Sequence, residues 1–276
     1  MFELPEYITL ARQLADTVTG KQVKEGHLGN SPHKFVCYNR KPREFESLTA
    51  GRILGKAYSR GRWLFIPANP GYVLVFGECG GRLLYHNSRE EIPKKYHLLL
   101  VFEDGPALSA MTRMWGAMEL YEKGQEQKGK YISDMRPTPI DPEFSFDYFS
   151  NLIDECIHSE KRSVKGLLTQ NQIIPGLGNS IAQDILFKAK LHPKHPIDDL
   201  AGSKRKQLYN AIQKTVSKVI SQGGRNDECD LFSQPGSYER ILSKDTVGKP
   251  CPECGTKIEK TQYLGGACYY CPGCRV

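Results

Sequence analysis

Short apolar runs broken by Gly and Pro fill the first part of the chain, up to about Glu122. Val73-Leu74-Val75-Phe76 ends at Gly77, and Leu98-Leu99-Leu100-Val101-Phe102 ends at Glu103-Asp104-Gly105. An Asp-Gly step after such a run predicts a hairpin turn, so this region reads as β-rich. One helix is predicted ahead of it over Glu6 to Thr17, where Ile8, Leu10, Ala11, Leu14 and Ala15 fall at near-helical spacing. The polar stretch from Glu122 to Pro142 reads as a linker. Beyond it the period changes to that of helices. Tyr148, Leu152, Ile153, Cys156 and Ile157 make one stripe, and Leu208, Ile212, Val216 and Ile220 make another. Plain core packing accounts for both stripes. A Gly-Gly break at 223–224 opens an irregular stretch to about Pro250, and a cysteine-rich tail follows.

These patterns predict an α+β protein with a first domain over 1–122, a linker over 123–142, a helical domain over 143–224 and a C-terminal segment over 225–276. No apolar run approaches the roughly 18 residues that span a bilayer. Residues 1–6 lack the basic-then-apolar order of a secretory signal, so an intracellular, cytoplasmic protein without membrane contact is expected. Lys and Arg outnumber the acids 38 to 31, a net charge of +7 that suits a polyanionic partner without specifying one.

Nine cysteines, an odd number, argue against a closed disulfide framework. Cys251-Pro-Glu-Cys254 and Cys271-Pro-Gly-Cys274 form two CxxC knuckles separated by a segment of hairpin length. Four thiolates complete the tetrahedron that Zn2+ prefers in structural sites, and a tail this short needs the metal in order to fold. One structural zinc ion held by Cys251, Cys254, Cys271 and Cys274 is therefore expected within 245–276. A redox pair is the alternative. Cys268 reads as a spare thiol on the hairpin.

Lys161-Arg162-Ser163-Val164-Lys165-Gly166-Leu167-Leu168 runs through Gly176-Leu177-Gly178-Asn179 into a second apolar stripe. This reads as helix, glycine-bearing turn, helix. The glycines let the backbone approach an anion, and the N–H groups of the second helix point toward it. An ordinary packing unit with a glycine cap gives the same pattern.

The whole stretch from Lys161 to Pro193 resembles the helix–two-turn–helix motif of the formamidopyrimidine-DNA glycosylase / endonuclease VIII family. Phe2-Glu3-Leu4-Pro5-Glu6, Arg60-Gly61-Arg62-Trp63-Leu64-Phe65 and Arg113-Met114-Trp115-Gly116 resemble further elements of that family. The resemblance implies an N-terminal β-sandwich with a helix, a helix–two-turn–helix domain and a C-terminal zinc-finger hairpin. A monomer that grips kinked duplex DNA and flips out the damaged base is implied too. It implies that Lys165, Gly178 and Asn179 hold phosphates beside the lesion, that Arg62 and Arg113 contact DNA, and that Trp115 fills the gap left by the base. Duplex DNA with damaged bases or abasic sites is the implied partner.

The family's nucleophile is an N-terminal proline, and Phe2 stands at that position. Phe2 blocks trimming of Met1, so Schiff-base formation and AP-lyase activity are placed in doubt. Glu3 and Glu6 keep their positions, and Glu3 is the implied acid/base. Either carboxylate can activate water, so a glycosylase without lyase activity is chemically possible. Arg62 replaces a lysine, Met114-Trp115 replaces an Arg-Phe pair, and Gly265-Gly266 replaces an arginine. Glu78, in the turn Gly77-Glu78-Cys79-Gly80, stands where a methionine wedge is usual. Two functions remain open at this point: a DNA glycosylase with altered chemistry, and a non-catalytic binder of damaged or kinked DNA. An RNA-directed role is a minor third.

Overall fold

The computed structural model describes residues 1–31, 34–78, 80–129, 132 and 135–274. Cys79 of the predicted turn, residues 130–131 and 133–134 of the predicted linker, and the last two residues of the predicted finger lie outside them. The chain forms two compact units, Met1–Met135 with Gln222–Ser237, and Arg136–Ser221 with Tyr238–Val276.

The first unit begins with α1 (Leu4–Val18). It starts two residues earlier than the apolar spacing predicts because its N-terminus is capped. The Glu3 carboxylate accepts from the Glu6 N–H, and the Glu6 carboxylate accepts from the Glu3 N–H at 2.8 Å. Then follow β1 (Val23–Leu28), β2 (Val36–Cys37), α2 (Pro42–Thr49), β3 (Ile53–Leu54), β4 (Tyr58–Arg60), β5 (Trp63–Asn69), β6 (Tyr72–Gly77), β7 (Gly81–His86), β8 (Leu98–Phe102), β9 (Ala107–Thr112) and β10 (Gly116–Glu122). One sheet has the order β1-β8-β9-β7 and the other β2-β10-β6-β5-β3, with β4 beside β5.

The two sheets share one core, and α1 contributes to it. Leu64, Ile66, Leu74, Phe76, Met118 and Leu120 of one sheet meet Leu83, Leu98, Leu100, Phe102, Leu108 and Ala110 of the other. This is the expected sandwich. Its strands read as unbroken apolar runs because their outer faces are covered as well. Trp63, Phe65, Val73 and Val75 pack against Ile132 of the predicted linker. Leu99, Val101 and Ala107 pack against Ile92 and Tyr96. Gly77 is fixed by one of these contacts: a Cβ there would lie 2.0 Å from the Trp63 ring. The predicted Asp104-Gly105 turn joins β8 to β9, with Gly105 at φ +104°.

The irregular segment after the Gly-Gly break divides, which the sequence reading of 225–276 as one segment did not foresee. Its first part belongs to the sandwich unit. Leu231 is buried in the sandwich core, and its carbonyl accepts from Tyr85 N–H at 2.9 Å. Gln13 on α1 bonds both Asp230 and the Leu231 N–H. A single buried leucine leaves no periodic trace, so the sequence could not show this.

The second unit holds α3 (Phe146–Ser159), α4 (Val164–Thr169), α5 (Asn179–Lys188), α6 (Gly202–Ser221) and a hairpin of β11 (Glu259–Tyr263) and β12 (Gly266–Tyr270). The two predicted stripes are its packing faces. Leu152, Ile153 and Cys156 on α3 are buried, as are Leu208, Ile212 and Val216 on α6. Asp184 on α5 is fully buried and anchors the chain that leads to the hairpin. It accepts from Tyr238 Oη, Ile241 N and Leu242 N at 2.8–2.9 Å. Burial pushes its carboxyl above the usual range, and these donors pull it back. Among the described residues, no helix is long and apolar enough to cross a membrane.

Candidate catalytic and nucleic-acid-binding site

The N-terminal turn is dominated by an arginine that sequence reasoning missed. Arg225 is 1% exposed. Its Nε donates to Glu6 Oε1 at 3.0 Å, its Nη2 to Glu6 Oε2 at 3.1 Å, and its backbone N–H to Glu6 Oε1 at 3.0 Å. Nη2 also donates to the Met1 carbonyl at 2.8 Å. Glu228 completes the circuit by accepting from the Met1 ammonium at 2.6 Å. Glycines make the approach possible. Gly224 turns at φ +107°, and a Cβ on Gly236 would lie 2.2 Å from the Gly224 carbonyl. The Gly-Gly step at 223–224 was the available signal, but it marks a break and not a buried partner.

Glu3 and Glu6 are both buried at the start of α1. Their situations differ. Both Glu6 oxygens are held by Arg225, so Glu6 is not a loose carboxylate ready to activate water. Phe2 points the other way, into the sandwich core. It meets Tyr7 edge to face at 5.9 Å and lies with Leu10, Leu64, Phe76, Leu83 and Met118. A buried aromatic ring of this kind contributes about 3–5 kcal/mol to stability. Phe2→Pro therefore removes a core ring as it supplies the missing amine. The variant is expected to melt well below the parent protein, which a thermal scan checks.

Arg62 sits in the tight turn between β4 and β5. Its Nη2 lies 3.1 Å from Glu78 Oε1, and its Nη1 donates to Met1 Sδ. Glu78 adopts φ +51°, unusual for a residue with a side chain. Burial raises its carboxyl, and the Arg62 charge lowers it. The acid that the sequence places toward DNA is thus the partner of the base predicted to contact DNA. Arg62 is not an unshared charge.

Arg113, Met114 and Trp115 form the exposed loop between β9 and β10. Thr112 Oγ1 donates to the Trp115 carbonyl at 2.6 Å, and Arg113 N–H donates to Gly80 O at 2.7 Å. Trp115 is 52% exposed and lies 5.0 Å from the Phe35 ring, which Lys34 approaches at 4.8 Å. Phe35 was not foreseen. The parallel pairing of β2 with β10 brings it to Trp115, and no local pattern reports that pairing. Stacking of one base on an aromatic ring is worth about 1–3 kcal/mol. Trp115→Ala is accordingly expected to weaken binding to abasic-site DNA by about tenfold or more, measured by fluorescence anisotropy. Unchanged affinity would remove the loop from the interface.

In the second unit, Asn179 is exposed in the first turn of α5, with Gly178 as its buried N-cap. Lys165 is 1% exposed, and its Nζ donates to the Tyr263 carbonyl at 2.5 Å. The predicted phosphate contact is therefore also a tie from α4 to the hairpin. The ammonium carries two further N–H groups. Gln183 makes a second tie, accepting from Tyr269 N–H at 2.5 Å. Gly266, which replaces an arginine in the resemblance, lies against Asn179.

Cys251, Cys254, Cys271 and Cys274 converge, with their Sγ atoms all within 4.8 Å of one another. Sulfur separations of 3.3–3.5 Å approach the roughly 3.8 Å edge of a tetrahedron with metal–sulfur bonds of ~2.3 Å. All four are free thiols, so the donor set fits a single metal ion. Cys268 is buried on β12 and takes no part in the quartet.

The chain is similar to known proteins over its whole length. Residues 1–131 match the family model of the formamidopyrimidine-DNA glycosylase N-terminal domain, and residues 135–229 match that of the formamidopyrimidine-DNA glycosylase H2TH domain. The chain is 29% identical to the formamidopyrimidine-DNA glycosylase of Bacillus cereus, over 100% of this chain and 99% of that protein. It is 26% identical to that of Listeria innocua, over the full length of both. Among solved structures, MutM (Fpg) from Thermus thermophilus has a TM-score of 0.83 at 24% identity, covering 99% of this chain and 98% of that one. Lactococcus lactis Fpg in complex with abasic-site DNA has a TM-score of 0.84 at 23% identity, covering 99% of each chain. The fold and sequence together define a DNA N-glycosylase of base excision repair. The chain belongs to the formamidopyrimidine-DNA glycosylase family.

Proposed function

We propose that this family member releases damaged bases from duplex DNA by hydrolysis, with Glu3 as the catalytic carboxylate and without the strand-cleaving lyase step. The seating of Phe2 carries this reading. Where the family supplies a proline amine, this chain has an amide nitrogen and a ring buried in the core. An amide nitrogen cannot form an imine. The Met1 amine is ion-paired to Glu228. In the hydrolytic route a water oxygen bonds to the sugar C1′ as the C1′–N bond breaks. The bond's electron pair leaves with the base; Glu3 takes the water's proton and passes it to the departing base nitrogen, which regenerates the carboxylate.

Lys165, Gly178 and Asn179 are assigned to the DNA backbone, together with Arg113. Lys165→Ala is expected to weaken binding to all sequences alike and to lower the salt slope by about one unit. A titration at several salt concentrations checks this, and unchanged affinity and slope would remove Lys165 from the contact. The four-thiolate donor set is that of structural zinc sites, which supports zinc as the metal and a structural role for it. The substrate implies a protein that works inside the cell, and a monomer suffices for these steps.

The test is a panel of duplexes, each carrying one defined lesion such as formamidopyrimidine-guanine, 8-oxoguanine or an abasic site. Base release and strand cleavage are scored separately, with borohydride added in a parallel arm. Base release with an intact strand and almost no trapped complex is expected. Efficient trapping would overturn the reading and point to Met1 or a lysine such as Lys56. Release of no base from any duplex would favour the non-catalytic binder.

A further inference from the structure

We propose that Arg225 is a positioning residue of the glycosylase reaction, clamping Glu6 and the Met1 carbonyl so that the Glu3 carboxylate is held in one geometry. The inference rests on the assignment of Glu3 above. A fully buried ion pair is weak evidence for stability, because apolar residues of similar volume usually serve as well. Its value lies in direction. The guanidinium takes both Glu6 oxygens in a fork, which fixes that carboxylate in plane and angle. The Glu6 carboxylate in turn accepts from the Glu3 N–H at 2.8 Å. The same Nη2 holds the carbonyl of Met1, two residues before Glu3. Glu3 is thereby tied on both sides to one side chain.

The clamp also reaches the far side of its own turn. Asp227 and Glu228 carboxylates lie 3.7 and 3.6 Å from the guanidinium, and Glu228 pairs with the Met1 ammonium. Met1, Asp227, Glu228, Arg82 and Arg113 line one cavity of about 140 Å³ beside this network. A displacement of the 222–237 segment would therefore pass directly to Glu3. Misplacement of a catalytic group by about 1 Å costs on the order of a hundredfold in rate.

The test uses Arg225→Lys, the double variant Glu6→Leu/Arg225→Met, and Glu3→Gln in the full-length protein. Substrate is whichever duplex of the panel releases its base fastest. Arg225→Lys keeps the charge and loses the fork. It is expected to slow single-turnover base release by about tenfold or more, with the dissociation constant for DNA within about threefold of the parent. The double variant removes both charges together, so that neither is stranded. It is expected to fold, and to lose release by about a hundredfold. Amide hydrogen exchange supplies a readout independent of activity. Protection of Glu3 and Glu6 should fall by about tenfold in Arg225→Lys while α3 to α6 are unchanged. A parental release rate in folded Arg225→Lys, with Glu3→Gln inactive, overturns the positioning role alone. Release that persists in Glu3→Gln overturns the catalytic assignment instead, and the exchange experiment still decides the clamp. Unchanged protection at Glu3 and Glu6 sinks it.

Discussion

Glu3→Gln is expected to lower single-turnover base release by about a thousandfold, with DNA affinity within a few-fold of the parent. The magnitude is that of a lost general acid/base, roughly 10²–10⁴ in rate. The substitution keeps the shape and one acceptor oxygen, so the capping contact with the Glu6 N–H can persist and α1 should remain folded. Only the capacity to take a proton is removed. The comparison with Glu6→Gln is informative. Glu6 is held by three donors from Arg225. Its amide would face those donors with one NH2 group, so that variant should lose stability together with rate. Thermal scans run beside the kinetics separate the two. Parental base release in Glu3→Gln would remove Glu3 from the chemistry.

Cys271→Ser is expected to abolish metal binding and unfold the hairpin, leaving α3 to α6 in place. The hairpin has little apolar core of its own. Its cysteines Cys251 and Cys271 pack with Ile258 against Leu242 and Phe187, the last borrowed from α5. Metal binding in zinc-finger peptides is worth about 10–16 kcal/mol, far more than those contacts supply. Loss of the hairpin also withdraws the Tyr263 carbonyl from Lys165 and the Tyr269 N–H from Gln183. DNA affinity should then fall by more than Lys165→Ala alone produces. Elemental analysis should give about one zinc per parent chain and almost none in the variant. Well under one metal per parent chain, with the hairpin folded by hydrogen exchange, would show that the thiols hold the tail without zinc.

Part of this molecule was written in local pattern. The four metal-site cysteines are legible because two knuckles at fixed spacing have few other uses, and the structure brings their sulfurs together. Helix α1, the stripes of α3 and α6, and the Asp104-Gly105 turn follow from periodicity and turn chemistry, which act over a few residues. Phe2 in place of proline is likewise visible at once.

What tertiary structure decided is who meets whom. Arg225 gives no sign in sequence that it is buried, since its partner Glu6 lies 219 residues away. Arg62 and Lys165 carry the charges expected of DNA contacts, but only the folded chain gives one to Glu78 and ties the other to Tyr263. The Phe35–Trp115 pair depends on a parallel strand pairing, and the place of 222–237 on the sandwich depends on buried Leu231 together with the contacts of Arg225, Glu228 and Asp230 to α1 and Met1. Sequence determines the chemistry and local conformation of each residue. Buried ion pairs and cross-chain contacts form only when distant segments close on a common core, and that closure leaves no periodic mark on either segment.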